Sequence, residues 1–207
     1  GLDLSPKQWD QLITLFARRQ LIPFLDAAYL GLGDGVAQDA YAIRALARAG
    51  ITGLVSNSFS KVFSLYGERV GSLSVICESP AIAGHVAGQL KGTVRSNYSN
   101  PPRLGAELVA TVLSEPGLRR LWDEELNATR QRMQDMRSAL FDMIKGLDPG
   151  RDVDYLLKQK GMFSFTGLSA DTVDRIRQEH GIYRIRTGRV CIAGLNPGNL
   201  DRLARAL

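Results

Sequence analysis

The residue in this sequence best suited to covalent chemistry is Lys61, in the segment SNSFSKVFSLYGERVG. A lysine amine can form a Schiff base with a carbonyl compound when a desolvated or cationic setting depresses its charge. Ser58 precedes it by three residues and Arg69 follows it by eight. The serine offers a hydroxyl, and the arginine a guanidinium that can bind phosphate through two parallel hydrogen bonds. The segment therefore predicts a reactive lysine beside a phosphate group, although an isolated lysine is more often a solvated surface residue.

A second polar pair, Asp26 and Tyr29, lies in the segment FLDAAY. The Asp26 carboxylate could pair with a protonated ring nitrogen of a ligand. An aspartate after a strand is more often a helix cap or a turn former. The prediction of a site therefore depends on the two segments together.

Asp26 ends the short apolar run LIPFLD, and the segment of Lys61 follows a second apolar run at residues 51–55. A helical pattern over residues 37–49 separates the two runs. The order strand, helix, strand favours an α/β fold with a mainly parallel sheet covered by helices. Ligands in such folds bind beyond the carboxyl ends of the strands. We therefore expect Asp26, Ser58 and Lys61 at one edge of the sheet.

Helix and strand signals continue along the rest of the chain. The pair Ser5-Pro6 predicts a helix start, and that helix should run to about Arg19. The other predicted elements are a strand over residues 70–77, helices over 80–95, 116–145 and 169–180, and short strands in MFSFTGL, GIYRI and RVCIAGL. A domain boundary is expected within the long helix or near residues 148–150.

Composition and charge exclude several classes of function. The chain is 44% hydrophobic and 23% charged, and it has no apolar run long enough to span a membrane. No signal peptide is expected from the first residues, GLDLSPKQWD. Cys77 and Cys191 form no CxxC pair, and with only two histidines no metal site of the usual spacing is expected. Two reduced thiols indicate a cytoplasmic protein. The net charge of +5 comes from scattered basic residues, so nucleic-acid binding is not expected.

The chain resembles the class I aminotransferases of the aspartate and aromatic type, which are fold type I pyridoxal-phosphate enzymes. The motifs FLDAAY, SNSFSKVFSLYGERVG, RSNYSNPP, GMFSFTGL and TGRVCIAGLNP stand in the family's order, and the resemblance covers the whole chain. SFSK with SLYGERVG is closer to the aromatic (tyrosine) enzymes than to the aspartate enzymes. The resemblance implies that residues 1–115 form the C-terminal part of the large, mainly parallel-sheet domain. Residues 116–147 would form a long interdomain helix, and residues 148–207 a small α+β domain.

The resemblance also assigns the cofactor-binding residues. Lys61 would form the Schiff base with pyridoxal 5'-phosphate and then move the proton between the substrate Cα and the cofactor. Asp26 would keep the pyridine nitrogen protonated, so that the ring can accept electrons. Tyr29 would bond the phenolic oxygen, and Ser58 and Arg69 would bind the phosphate.

The substrate-binding residues follow from the same resemblance. Arg189 would bind the substrate α-carboxylate, and Phe163 would form part of the wall over the substrate. Arg95 would reach the neighbouring subunit's site and bind the side-chain carboxylate of a dicarboxylic substrate, which requires a homodimer. Arg184 and Arg186 add charge near Arg189 without an implied role.

The activity implied is transamination between aromatic L-amino acids, such as tyrosine and phenylalanine, and 2-oxoglutarate. The family supplies further cofactor contacts from a segment preceding Gly1, so the chain alone is expected to be inactive. Aspartate aminotransferase is the close alternative, and a non-catalytic structural or dimerisation fragment is a second one. A third reading takes Ser58 and Lys61 as the S-x-x-K of penicillin-recognising serine enzymes. The corresponding K-T-G motif is only approximated, by residues 186–188, and short matches of this kind arise easily by accident.

Overall fold

The computed structural model describes residues 2–207, which form two compact units. The first, here called the sheet unit, comprises Leu4–Gly31 and Gly35–Leu126. The second, here called the C-terminal unit, comprises Leu32–Asp34 and Asn127–Leu207, together with the N-terminal residues up to Asp3. The division between the units falls within the longest helix of the described residues.

Helices and strands are mixed through the first half of the chain, as expected for an α/β fold. In the sheet unit the elements begin with α1 (Pro6–Arg19), β1 (Phe24–Ala27), α2 (Val36–Asp39), α3 (Tyr41–Arg48), β2 (Gly53–Ser58), β3 (Gly71–Ile76), α4 (Pro80–Asn97) and α5 (Leu104–Ser114). Helix α6 (Pro116–Leu147) contributes residues to both units. The C-terminal unit continues with α7 (Tyr155–Lys158), β4 (Phe163–Phe165), α8 (Ala170–His180), β5 (Arg189–Cys191) and α9 (Pro197–Ala206).

The sheet of the first unit has the order β1-β2-β3. Strands β1 and β2 are parallel, with Asp26 opposite Ser56. Strands β2 and β3 are antiparallel, with Ser58 opposite Gly71. The expectation of a mainly parallel sheet thus fits the first pair and not the second. The reason is that no crossover helix lies between β2 and β3, because the connecting residues 59–70 are turns and the chain reverses there.

Local signals explain where helix α1 begins and what it packs against. The Ser5 side chain accepts a hydrogen bond from the Gln8 backbone N–H, and the Gln8 side-chain oxygen accepts one from the Ser5 backbone N–H, which is a capping box. Pro6 occupies the first helical turn, so the predicted helix is confirmed. Ile13 on this helix joins Leu46 and Ile51 in the buried core of the unit.

Two helices differ from the sequence prediction. The pattern over residues 37–49 is divided at Ala40 into α2 and α3. Helix α5 was not predicted, since the stretch before Pro116 has no N-cap signal. Its Arg103 N-cap makes no side-chain cap, and Gly105 packs against Val70, where an added Cβ would lie 3.0 Å away. Tertiary packing favours this helix more than local capping does.

The C-terminal unit packs a small antiparallel pair of strands with the second part of α6. Phe163 lies opposite Cys191, and Phe165 opposite Arg189. One face of α6 is buried through Met133, Leu140 and Ile144. The segment GIYRI was predicted as a strand because of its alternating pattern, and this prediction is wrong. Residues 182–185 have no strand partner among the described residues, and Gly181, with φ of 60°, ends α8 in the left-handed conformation just before them.

Candidate functional site

The strand register brings three predicted site residues to one edge of the sheet. Asp26 lies near the carboxyl end of β1, and Ser58 is the last residue of β2. Because Ser58 pairs with Gly71 at the start of β3, Arg69 lies just beyond the same edge. The Phe59 backbone N–H donates to the Val70 carbonyl across this turn, at 3.2 Å. Lys61 follows three residues after Ser58, so the loop between β2 and β3 carries both the amine and the guanidinium.

Lys61 is half-buried and lies between two aromatic rings. Its Nζ atom is 5.0 Å from the centre of the Tyr29 ring and 5.8 Å from that of Tyr66. Ammonium groups within about 6 Å of an aromatic face are attracted by about 0.5–1 kcal/mol at exposed sites. The two tyrosines therefore restrict where the amine can lie.

Asp26 is exposed at the end of its strand and accepts a hydrogen bond from the neighbouring strand. The Ser56 hydroxyl donates to the Asp26 carboxylate at 3.1 Å. Ser56 and Ser58 are two residues apart on β2, so their side chains point to the same face of the sheet. The Asp26 carboxylate and the Ser58 hydroxyl consequently share that face.

Ser58 and Arg69 are held by local backbone contacts. The Ser58 hydroxyl accepts a hydrogen bond from the Ser60 backbone N–H at 3.2 Å, and Ser60 is buried. Arg69 has φ of 51°, the left-handed region, and its Nη1 donates to the Tyr66 carbonyl at 3.0 Å. A non-glycine residue in that region costs on the order of 1 kcal/mol, and such residues cluster at ligand sites. The exposed guanidinium keeps further donors for an anion.

Trp122 of α6 supports the loop that carries Lys61. Its indole Nε1 donates to the Val62 carbonyl at 2.8 Å, and its ring stacks on Phe63 with centroids 4.8 Å apart. Phe59 meets Phe63 edge-on at 5.6 Å. Aromatic residues therefore fix the backbone on both sides of Lys61.

In the C-terminal unit, Arg189 and Phe163 are in direct contact. The Arg189 guanidinium carbon lies 4.5 Å from the centre of the Phe163 ring. Both residues lie on the β4-β5 pair, where Phe163 begins β4 and Arg189 begins β5. Arg189 is exposed, and the ring beneath it restricts one face of its planar group.

Two arginines of α6 hold the backbone around this pair. Arg137 is buried, and burial lowers the pKa of its guanidinium. It donates to the Gly161 and Phe163 carbonyls and to the hydroxyl of the fully buried Ser164. Arg132 donates to the Leu195 and Ala193 carbonyls at 3.0 and 2.9 Å, on the segment that follows β5. Both strands of the pair are thus anchored to one helix.

Arg95 lies in the last turn of α4, in the sheet unit. It is exposed, and its Nη1 donates to the Ser99 hydroxyl at 2.7 Å. Ser99 has φ of 70°, so the turn after the helix is tight. The side chain is therefore oriented by its own loop.

Four residues of these two sites are not assigned a role in the sequence analysis: Ser56, Tyr66, Trp122 and Arg137. Ser56 and Tyr66 lie inside the motif SNSFSKVFSLYGERVG, so the motif itself is the signal. Trp122 and Arg137 fall on the apolar stripe of a long helix, where periodicity indicates core packing and gives no sign of their hydrogen bonds.

Two features are not found in the part of the chain that the structure describes: a metal-ligand cluster and a membrane-spanning helix. No group of three or more histidine, cysteine, aspartate or glutamate side chains is placed to bind a metal ion. None of the described helices has the length and apolar character needed to cross a bilayer.

Comparison with known proteins gives matches over the full chain. The family model for aminotransferase class I and II matches residues 1–207. A tyrosine aminotransferase of Klebsiella pneumoniae is 57% identical over 206 residues, and an aspartate aminotransferase of Pseudomonas aeruginosa is 45% identical over 207 residues. Each match covers 100% of this chain and 52% of the relative. The chain thus spans about half the length of the curated relatives it matches.

Solved structures give the same result for the fold. An aromatic-amino-acid aminotransferase from Burkholderia pseudomallei, covalently bound to pyridoxal phosphate, superposes with a TM-score of 0.96 at 48% identity. The alignment covers 99% of this chain and 51% of that one.

Proposed function

The chain belongs to the class I and II aminotransferase family, and from that premise we propose that its full-length protein transfers an amino group between aromatic L-amino acids and 2-oxoglutarate. Pyridoxal 5'-phosphate is the proposed cofactor. One observation carries the proposal: the half-buried Lys61 amine, flanked by Tyr29, lies on a loop at the sheet edge that also holds Asp26 and Arg69. The similarity to a tyrosine aminotransferase at 57% identity supports the aromatic substrate class.

The chemistry of the side chains at this edge fits the proposed cofactor. A phosphorylated pyridine aldehyde needs an amine, an anion for the ring nitrogen and donors for the phosphate. Lys61, Asp26 and Arg69 offer these in that order, and the Ser58 hydroxyl adds a second phosphate donor. Tyr29 is 41% exposed beside Lys61, where its hydroxyl could bond the phenolic oxygen.

When bound, the cofactor supplies an electrophilic carbonyl and a ring that accepts electrons. The Lys61 Nζ is the amine that would hold the cofactor, and as a free base it would take the proton from the substrate Cα. Asp26, kept in place by the Ser56 hydroxyl, would hold a proton on the ring nitrogen. The contact of Lys61 with Tyr29 and Tyr66 limits the positions from which the amine can reach Cα.

Arg189 is proposed to bind the substrate α-carboxylate. Its guanidinium can form two parallel hydrogen bonds, which fix the orientation of the amino acid. The Phe163 ring on one face of Arg189 supports that orientation and is proposed as part of the wall over the substrate. Arg137 acts on this site only through the backbone of Phe163.

Arg95 is proposed to bind the side-chain carboxylate of 2-oxoglutarate in the neighbouring subunit of a homodimer. The guanidinium is exposed, and its hydrogen bond to Ser99 leaves most of its donors available. The same role would admit dicarboxylic amino acids as second substrates. Aspartate aminotransferase is therefore the alternative, and the Pseudomonas aeruginosa relative at 45% identity supports it.

We propose the following organisation for the whole protein. Residues 1–115 form the C-terminal part of the large domain of a fold type I aminotransferase, residues 116–147 the interdomain helix and residues 148–207 the small domain. Residues 1–207 alone are expected to be inactive, because the relatives are about twice as long. An inactive fragment would correspond to the non-catalytic structural or dimerisation fragment that the sequence analysis gave as an alternative.

We also propose a cytoplasmic location, with which the two free thiols of Cys77 and Cys191 agree.

The substrate assignment is tested by turnover of the full-length enzyme with 2-oxoglutarate. The proposal predicts a higher kcat/KM for L-phenylalanine and L-tyrosine than for L-aspartate. A higher kcat/KM for L-aspartate would assign the aspartate alternative. Transfer from none of the three, in a protein that retains the cofactor, would contradict both.

A further inference from the structure

Trp122 of α6 forms a hydrogen bond with the loop that carries Lys61, and both residues belong to the sheet unit. The indole Nε1 donates to the carbonyl of Val62, the residue directly after Lys61, at 2.8 Å. No backbone N–H of the described residues donates to this carbonyl. Without the indole, a partly buried carbonyl would therefore lose its hydrogen-bond partner within the described chain.

The Val62 carbonyl belongs to a peptide group that is held at both of its polar ends. The N–H at the other end, that of Phe63, donates to the Phe59 carbonyl at 3.2 Å. The Phe63 ring also stacks on the Trp122 ring, with an angle of 16° between the two planes. Because a peptide group is planar, hydrogen bonds at its two opposite ends fix its orientation.

This peptide group is the central one of a turn that begins at Lys61. The Ser64 N–H donates to the Lys61 carbonyl at 3.2 Å, which closes the turn over residues 61–64. Rotation of the central peptide converts one type of turn into another. A turn that has lost the bond to its central carbonyl can therefore sample more conformations, and the Cα atom of Lys61 moves with them.

The position of Lys61 matters because its amine is proposed to take a proton from the substrate Cα. Proton transfer requires about 2.6–3.2 Å between the two heavy atoms, and a displacement of about 1 Å can slow an enzyme by about 100-fold. The rings of Tyr29 and Tyr66 restrict the amine end of the side chain. Trp122 restricts the backbone end.

We propose that Trp122 is a positioning residue for Lys61, and that its indole N–H sets the backbone position from which the amine reaches the substrate Cα. The inference rests on the proposed function, because it concerns the proton transfer assigned to Lys61. Loss of the N–H should slow this transfer. Binding of the amino acid should not change, since its carboxylate is assigned to Arg189 and Trp122 acts through the backbone of Val62.

The test replaces Trp122 in the full-length enzyme with β-(3-benzothienyl)alanine, in which a sulfur atom takes the place of the indole N–H. The fused ring is kept, so its stacking on Phe63 and the fold should be kept as well. Trp122→Phe is a second variant that removes the donor. In both variants kcat with L-phenylalanine and 2-oxoglutarate should fall by about 10-fold, while KM for L-phenylalanine changes by less than about twofold.

L-Phenylalanine deuterated at Cα separates a positioning role from general loosening of the fold. A slower proton transfer limits the overall rate more strongly, so the primary isotope effect on kcat should be larger in both Trp122 variants than in the wild type. Trp9→Phe is the matched control, because Trp9 of α1 is the only other tryptophan and its indole donates no hydrogen bond among the described residues. It should match the wild type in kcat, KM and isotope effect.

A wild-type kcat in both Trp122 variants would overturn the inference. So would a fall in kcat with an unchanged isotope effect, because a step other than the proton transfer would then depend on Trp122. An equal fall in Trp9→Phe would overturn it as well. Absence of amino-group transfer in the wild-type enzyme would contradict the proposed function and the inference together, so the two failures are distinguishable.

Discussion

The Nζ atom of Lys61 lies 5.0 Å from the centre of the Tyr29 ring, although the two residues come from different strand ends. The parallel pairing of β1 and β2 causes this proximity, because it brings the chain after Ala27 and the chain after Ser58 to one edge. The contact joins the two segments that the sequence singles out separately. It gives Tyr29 a position from which its hydroxyl can reach a ligand held by Lys61.

Tyr29→Phe tests that hydroxyl while keeping the ring beside Lys61. We expect the full-length protein to bind pyridoxal phosphate about 5- to 15-fold more weakly, the cost of one hydrogen bond of about 1–1.5 kcal/mol. Cofactor titration followed by fluorescence measures the change. Tyr41→Phe is the control, because it also removes a hydrogen-bonded tyrosine hydroxyl, to Asp10 on α1. Equal affinity in Tyr29→Phe and the wild type would remove Tyr29 from the site.

Arg189→Lys tests the proposed recognition of the α-carboxylate. Lysine keeps the charge and loses the planar pair of donors, so kcat/KM for the amino acid should fall by roughly 10- to 100-fold. Cofactor binding should not change. Arg186→Lys provides the comparison, since Arg186 is three residues away and pairs with Asp174 at the surface. A loss of activity shared equally by both variants would contradict a specific role for Arg189.

Arg137→Met tests the support of β4. The substitution leaves the Gly161 and Phe163 carbonyls and the buried Ser164 hydroxyl without their donor. We expect the free energy of unfolding to fall by about 3 kcal/mol, as for other buried polar groups that lose a partner. Arg120→Met on the exposed face of the same helix should change it by less than about 0.5 kcal/mol. Chemical denaturation of the full-length protein measures both, and equal values would show that Arg137 has no such role.

Gly71→Ala tests the close approach of β2 and β3 near the site. A Cβ at Gly71 would lie 2.6 Å from the Asn57 carbonyl oxygen, so one strand has to move. We expect a loss of about 1–3 kcal/mol in the free energy of unfolding, together with weaker cofactor binding. Gly117→Ala in α6 is the control, because nothing lies within 4 Å of an added Cβ and alanine favours a helix. Unchanged stability in Gly71→Ala would show that the strands are not packed as described.

The sequence predicts the elements with strong local signals and misses those that depend on long-range packing. The Ser5 cap and the long apolar stripe of α6 are sufficient to locate their helices. Strand β3 is predicted from the sequence, but its antiparallel direction is not, because that direction depends on the reversal of the chain over residues 59–70. Helix α5 is missed, because Gly105 packs against a side chain distant in sequence, that of Val70. GIYRI shows the converse error, since an alternating pattern alone does not provide a strand partner.

In the candidate sites too, local sequence motifs indicate some residues, whereas others depend on contacts that are distant in sequence. Asp26, Ser58, Lys61 and Arg69 are indicated by motifs, and the strand register brings their segments to one edge. Whether each residue has its proposed role stays a prediction. Trp122 and Arg137 act through hydrogen bonds to backbone carbonyls that are distant in sequence, and no local pattern contains that information.

The lysine that reacts with the cofactor can be located chemically. The full-length protein is incubated with pyridoxal phosphate, reduced with borohydride and digested, and the modified peptide is identified by mass spectrometry. We expect a pyridoxyl group on Lys61, its absence in Lys61→Ala and its retention in Lys91→Ala, a surface control on α4. A pyridoxyl group on another lysine, with Lys61 unmodified, would show that Lys61 does not hold the cofactor.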